Sequence, residues 1–147
     1  MKPLEKALKL LSSKSYSKAE ITEHLLRKYS EEDTNDTVSR LEKLELIDDA
    51  KYAKSITRSR LHYSHRGRHA IKVELIKKGI SKDIIDETIS TIDKKDEYNS
   101  AKELLESRLN RWKDLDLNKR KQRALSLLQS HGFSVSICLD LVKELII

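Results

Sequence analysis

The segment from Lys51 to Lys78 carries the side chains best suited to binding a polyanion. Its only carboxylate is Glu74, and three histidines and two tyrosines are interleaved with its cations. Arg can bind a phosphate with two parallel hydrogen bonds, and aromatic rings can stack on exposed bases. The segment therefore predicts a nucleic-acid or acidic-protein surface, the alternative being a solvated helix face whose long stems cover apolar surface. The nine cations are Lys51, Lys54, Arg58, Arg60, Arg66, Arg68, Lys72, Lys77 and Lys78.

A second, smaller basic cluster follows Asp114 and Asp116. It is either the solvated start of a helix or an extension of the first surface, if the fold brings the two together. Its members are Lys119, Arg120, Lys121 and Arg123.

The histidines at 62, 65 and 69 have a spacing that invites comparison with a metal site. Zinc is held by neutral imidazoles, usually with thiolate or carboxylate ligands beside them. Here the neighbours are arginines, which disfavour a dication, and Gly67 is expected to interrupt the helical register. We therefore expect neither a metal site nor a cofactor.

No set of residues predicts catalysis. The carboxylate pair Asp48/Asp49 lacks a matching base or glycine loop, and no phosphate-binding loop or catalytic triad is present. Cys138 lies in an apolar run and Trp112 follows two leucines at helical spacing, so both are predicted to be core residues. We expect a protein that is not an enzyme.

The charge of the chain is concentrated in its middle. The net formal charge is −2 over residues 1–49, +7 over 50–95 and +1 over 96–147. This distribution predicts one localised polyanion site rather than a generally adhesive surface. No signal-peptide pattern or membrane-spanning apolar stretch is found, and the single cysteine cannot form an internal disulfide, so a cytoplasmic location is expected.

The elements that must position these residues are predicted to be helices. Hydrophobic and charged residues each make up 37% of the chain, and only three Gly and one Pro are present. Ser30, Ser81 and Ser134 each follow an aromatic or Ile residue, and Gly79 and Gly132 precede two of these pairs. Such junctions are typical of a helix C-cap followed by an N-cap.

The junctions recur about every fifty residues, which indicates three stacked units in one elongated domain (about 1–47, 48–94 and 95–147). We predict an all-α fold with no sheet. The predicted helices span 2–12, 17–28, 30–45, 49–64, 67–78, 81–93, 95–112, 117–131 and 134–146.

The middle of the chain resembles the RecX regulatory family. The run Leu46–Tyr52 (LIDDAKY) is followed by Arg58 and Arg60, by Gly67, and by Glu74-Leu75 with Lys78-Gly79-Ile80. The third unit is also similar, with Lys121-Gln122-Arg123 leading to Leu127, Leu128 and His131-Gly132-Phe133. The chain departs from the family pattern where Arg27-Lys28 replaces the Gly expected before Tyr29, and where Thr34 occupies a usually apolar position.

The resemblance implies three tandem three-helix repeats packed at right angles in a curved rod. It also implies a partner, the RecA recombinase filament on single-stranded DNA, whose activity and growth family members modulate and usually inhibit. The residues matching the basic motif are Arg58, Arg60, Arg66 and Arg68, with Lys72 beside them; Lys77 and Lys78 complete the predicted surface. A monomer with no membrane partner is expected.

The alternative is a stand-alone helix-turn-helix DNA-binding regulator, because a three-helix unit with a basic helix can enter a major groove. Such a protein concentrates its base-reading residues early in one recognition helix. Here the charge runs through a helix, a loop and the next helix, which favours phosphate or acidic side chains as the contact.

Overall fold

A computed structural model describes all 147 residues as nine α-helices and one short 3₁₀ turn, with no strand. The all-α prediction is confirmed, and the predicted helix ends lie within three residues of those observed. The helices are α1 (Pro3–Ser13), α2 (Lys18–Leu26), α3 (Glu31–Lys43), α4 (Asp49–His62), α5 (Arg68–Lys77), α6 (Lys82–Ser90), α7 (Lys94–Leu109), α8 (Leu117–Ser130) and α9 (Val135–Leu145).

Side-chain caps define where most of the helices begin. Serine or aspartate at the N-cap accepts a backbone N–H in α2, α3, α4, α6, α7, α8 and α9. Ser17 and Glu20 form a reciprocal capping box at α2. Of the remaining helices, α1 has Pro3 in its first turn and α5 follows Gly67, which has no side chain to donate or accept.

Three separate apolar cores divide the helices into three groups. Leu25 and Leu41 are central to the core of α1–α3, Ile71 and Leu75 to that of α4–α6, and Leu105, Leu128 and Leu141 to that of α7–α9. The accessible surface is 9505 Å², whereas a compact protein of this mass exposes about 7,750 Å². The excess surface is consistent with an elongated stack, and we call the three groups unit one, unit two and unit three.

Glycines lie at points where neighbouring units approach each other closely. Gly79 and Gly132 have positive φ angles of 74° and 84°, and each lies against the start of a helix in the preceding unit. A Cβ at Gly79 would overlap the Ala19 methyl on α2, and one at Gly132 would overlap Ala70 on α5. Gly67 lies opposite, where a Cβ would come within 2.5 Å of the Gly132 carbonyl oxygen.

The missing glycine of unit one has a physical explanation in this packing. Lys28, which precedes Tyr29, is exposed and has no positive φ angle. The glycine is required where a turn takes up the left-handed conformation and presses against a neighbouring unit. The turn at Lys28 meets neither requirement.

Thr34 is the second position at which the chain departs from the family pattern, and its surroundings lead to a prediction about stability. Its side chain is fully buried and its hydroxyl has no hydrogen-bond partner. The Thr34→Val substitution keeps the shape and removes an unsatisfied polar group, so the free energy of unfolding should rise by about 1 kcal/mol in urea denaturation. The control is Thr88→Val, because the similarly buried Thr88 hydroxyl donates to the Ile84 carbonyl at 2.7 Å. A stabilisation in the control as large as that at Thr34 would contradict the explanation.

Candidate nucleic-acid interface

One exposed stripe of α4 carries three cations and a histidine. Lys51, Lys54, Arg58 and His62 recur at helical spacing and all four are exposed. The opposite face of the helix carries buried residues such as Ile56, which fix its orientation against the core of unit two. The fold therefore presents these side chains to solvent with the core directly behind them.

A groove of about 480 Å³ lies between α5 and the end of α8, and it joins unit two to unit three. Arg66, His69 and Lys77 line its unit-two side and are exposed. Val73, half exposed, adds an apolar contact surface. Gln129 and Ser130 of α8 complete the lining; they carry no charge, so nothing in the sequence indicated that they belong here.

The one carboxylate in this groove, Glu74, is neutralised by Arg60 of the same unit. Arg60 donates from Nε and Nη2 to the two Glu74 oxygens at 2.7 and 2.8 Å. The hydrogen bonds from Arg60 hold the pKa of Glu74 below its usual value, and the same bonds raise the pKa of Arg60. The pair ties α4 to α5 and leaves the groove with an excess of positive charge.

Arg68 is held by a carboxylate that is almost completely buried. The Glu97 side chain of α7 is 2% exposed and accepts hydrogen bonds from the backbone N–H of Arg68 at 2.9 Å and from its Nε at 3.0 Å. The Arg68 guanidinium also reaches the Ile92 carbonyl at 3.4 Å. These contacts connect unit two to unit three and engage Nε and Nη2 of Arg68, so the fork that Arg68 could offer to a phosphate is partly occupied.

Lys78 is half-buried between units one and two. Its Nζ lies 3.9 Å from a carboxylate oxygen of Glu20 and 5.6 Å from the centre of the Tyr52 ring. Its carbonyl accepts a hydrogen bond from the Ser17 hydroxyl at 2.6 Å. Of the seven predicted residues, Arg60, Arg68 and Lys78 thus have partners within the chain, while Arg58, Arg66, Lys72 and Lys77 are exposed.

The second basic cluster lies on the helix that closes the groove. Lys119 and Arg123 are exposed and, at helical spacing, share a face of α8 with Ser130. Arg123 is seven residues from Ser130, which corresponds to about 10 Å along the helix. Arg120 and Lys121 are half-buried, and Nε of Arg120 is buried without a partner. Lys119 and Arg123 therefore extend the basic surface beyond the groove.

The histidines do not converge on one point. His65, at a positive φ angle of 49°, directs Nδ1 to the Ser100 carbonyl at 3.1 Å, while His62 and His69 are exposed. No group of three or more His, Cys, Asp or Glu side chains is arranged to hold a metal ion. His131 Nδ1 contacts the His65 carbonyl at 2.9 Å, so both rings belong to the contact between units two and three.

The remaining candidates are core residues or helix caps. Cys138 is fully buried, and burial raises the pKa of its thiol. Trp112 is half-buried against the core of unit three. Asp48 caps α4 by accepting the Lys51 N–H at 3.1 Å. None of the helices combines the length and the apolar character that crossing a membrane requires.

Two family models match the chain. The one described as the first three-helix domain of RecX matches residues 4–41, and the second three-helix domain of RecX matches residues 48–89. A regulatory protein RecX from Streptomyces coelicolor is 31% identical over 147 residues, which cover 97% of this chain and 78% of that protein. A regulatory protein RecX from Clostridium perfringens strain 13 is 33% identical over 142 residues. These cover 95% of this chain and 66% of the Clostridium protein, so this chain spans just under two thirds of that protein's length.

Two solved structures have the same architecture. The crystal structure of RecX from Lactobacillus salivarius superposes with a TM-score of 0.89 at 27% identity, covering 98% of this chain and 94% of that one. A second crystal structure, of a regulatory protein RecX, gives a TM-score of 0.87 at 26% identity and covers 97% and 72% of the two chains.

Proposed function

This chain belongs to the RecX family, and on that premise we propose that it binds the RecA recombinase filament on single-stranded DNA through its exposed basic surface. There it restrains recombinase activity and filament growth without catalysing a reaction of its own. The observation that supports the proposal best is the exposed set Arg58, Arg66, Lys72 and Lys77, with a groove beside it that two units build together.

The charges in this surface are suited to neutralising phosphates or acidic side chains. Because Arg60 satisfies Glu74 internally, no free carboxylate in the α5–α8 groove opposes an incoming anion. Within the groove of a filament, charges are screened less than on an open surface, so each contact gains strength. Phosphate contacts of this kind position a protein without reading sequence.

The elongated stack explains how binding would inhibit. A chain of three units with separate cores can lie across neighbouring recombinase protomers. In that position it competes with incoming duplex DNA and shifts the filament between growing and disassembling states. Any ATP hydrolysis in the complex belongs to the recombinase.

The helix-turn-helix alternative is less well supported by the geometry of α5, the candidate recognition helix. Its first residue, Arg68, is held by the buried carboxylate of Glu97 rather than directed outward. The exposed cations lie on α4, in the loop before α5, and on α5 at Lys72 in its middle and Lys77 at its end. Recognition helices concentrate their base-contacting residues near the N-terminus, whereas the exposed cations here are spread over two helices and the loop between them.

The proposal is tested by comparing affinities for recombinase-coated and naked single-stranded DNA at matched salt. We expect markedly tighter binding to the coated strand, since recombinase side chains and phosphates both contribute there. Cosedimentation with preassembled filaments gives one affinity and fluorescence anisotropy on the bare strand gives the other. Equal affinity for the two would favour the DNA-binding alternative.

A further inference from the structure

A large groove of about 1240 Å³ lies between units one and two, and none of the predicted basic-surface residues lines it. One wall is α2 together with Arg27, the residue that follows it. The other is formed by the end of α3 and the start of α4, with the turn at Gly79 closing one end. The groove is thus built where the two units meet, away from the contact between units two and three.

The charge of this groove is opposite to that of the basic surface. Five carboxylates and two cations line it, giving a net charge of −3. Both cations are already paired, Lys18 with Glu42 at 3.0 Å and Arg27 with Glu23 at 3.1 Å. Glu45, Asp48 and Asp49 are left without a cationic side chain.

The position of Asp49 shows how crowded the negative charge is. It accepts the Lys18 backbone N–H at 2.9 Å, and it is half-buried near Glu42 and Asp48. Burial, assisted by the charges of Glu42 and Asp48, raises the pKa of Asp49 despite that hydrogen bond. A cation brought into the groove would stabilise the ionised carboxylate.

The groove also has an apolar lining. Leu26 is 47% exposed although it is a large aliphatic residue, and Ala19, Ala50 and Ile84 lie around the same space. Pockets for small molecules typically measure about 300–1,000 Å³, so this groove is larger than one such ligand requires. A groove lined by both carboxylates and apolar side chains matches an amphipathic helix that carries Lys or Arg on its polar side.

We propose that this groove docks a basic amphipathic segment of a protein partner, with an apolar side chain against Leu26 and cationic side chains facing Glu45, Asp48 and Asp49. The chain then recognises nucleic acid and protein on two surfaces of opposite charge. Docking here needs no DNA, so its test is independent of the function proposed above.

The test is fluorescence anisotropy with a labelled amphipathic Leu/Lys peptide, measured on the full chain without DNA or recombinase. Leu26→Ala and Glu45→Gln should each weaken binding by about five-fold or more, as expected for contacts at the centre of an interface. Matched controls are Leu8→Ala, where the leucine is 43% exposed outside the groove, and Glu32→Gln, also exposed outside it. Both should bind as the wild type does.

Folding is monitored by circular dichroism, which should give the wild-type spectrum for every variant, since substitutions at exposed positions seldom disturb a fold. Arg66→Ala/Lys77→Ala should leave peptide binding unchanged, which would separate this groove from the basic surface. Equal weakening in the groove variants and their controls would overturn the proposal, as would the absence of saturable binding. Light scattering that gave the mass of two chains, with Leu26→Ala restoring the monomer, would assign the groove to a second copy and also overturn it.

Discussion

Replacing Arg68 by Ala is expected to lower the free energy of unfolding by about 3–5 kcal/mol. The change removes the only cationic partner of Glu97, whose side chain is 2% exposed, and leaves its charge buried at the contact between units two and three. The cost is that of an uncompensated buried carboxylate, which far exceeds the value of an ion pair on the surface. Urea denaturation followed by circular dichroism measures the decrease.

The control lies two residues earlier in the chain. Arg66 is exposed and has no carboxylate partner, so Arg66→Ala should change stability by no more than about 0.5 kcal/mol. Removing both charges, as in Arg68→Met/Glu97→Leu, should recover much of the stability, because well-packed apolar residues can replace a buried ion pair. Equal, small effects of Arg66→Ala and Arg68→Ala would show that Glu97 is hydrated and Arg68 is free for a ligand.

Gly132→Ala is expected to cost about 2–4 kcal/mol, combining the left-handed φ angle with overpacking. The φ angle of Gly132 is 84°, and a Cβ added there overlaps both the methyl and the backbone nitrogen of Ala70. Because one of these atoms belongs to the backbone, the overlap can be relieved only by moving α5. The backbone hydrogen bond from the His69 N–H to the Gly132 carbonyl, 3.1 Å long, lies at the same point. Urea denaturation again gives the size of the effect.

Gly79→Ala provides the comparison. Its φ angle is similar, 74°, but the added Cβ would overlap only the Ala19 methyl. We therefore expect a smaller cost than at Gly132. Ala19→Gly should relieve the part that comes from the overlap, whereas Ala70→Gly should not rescue Gly132→Ala. Equal costs at the two glycines would mean that the φ angle alone determines them.

Much of the fold could be predicted because its signals are local. Ser17 with Glu20, and Ser30, Ser81 and Ser134, each mark a helix start within four residues of chain. The helix ends were harder to predict: α6 ends at Ser90 rather than 93 because the following N–H groups close turns before the Asp93 cap of α7.

The candidate site was only partly predictable, since charge along the chain does not reveal pairing across it. Arg60 and Glu74 are 14 residues apart, and Arg68 and Glu97 are 29 residues apart. No local pattern distinguishes these arginines from Arg58 and Arg66, which remain exposed. The α8 side of the groove meets α5 only because Gly67 and Gly132 let units two and three approach each other.

The acidic groove illustrates the same limit. Asp48 and Asp49 are adjacent in the sequence, and Asp48 caps α4 in the structure. Glu23 comes from α2, more than twenty residues earlier, and joins them only through the packing of two units. The net charge over residues 1–49 indicates an acidic region, but it does not reveal that part of this region forms a groove.

The salt dependence of binding to recombinase–ssDNA filaments, measured for Arg66→Ala/Lys77→Ala, is the most direct test of the basic surface. If both residues neutralise phosphates, the slope of log affinity against log salt should flatten by about 1.4, roughly 0.7 for each phosphate on a single strand. The control, Lys94→Ala/Lys95→Ala, removes two exposed positive charges outside the α5–α8 groove and should leave the slope near that of the wild type. A wild-type slope in Arg66→Ala/Lys77→Ala, or equal flattening in both pairs, would contradict the assignment of this surface to the filament.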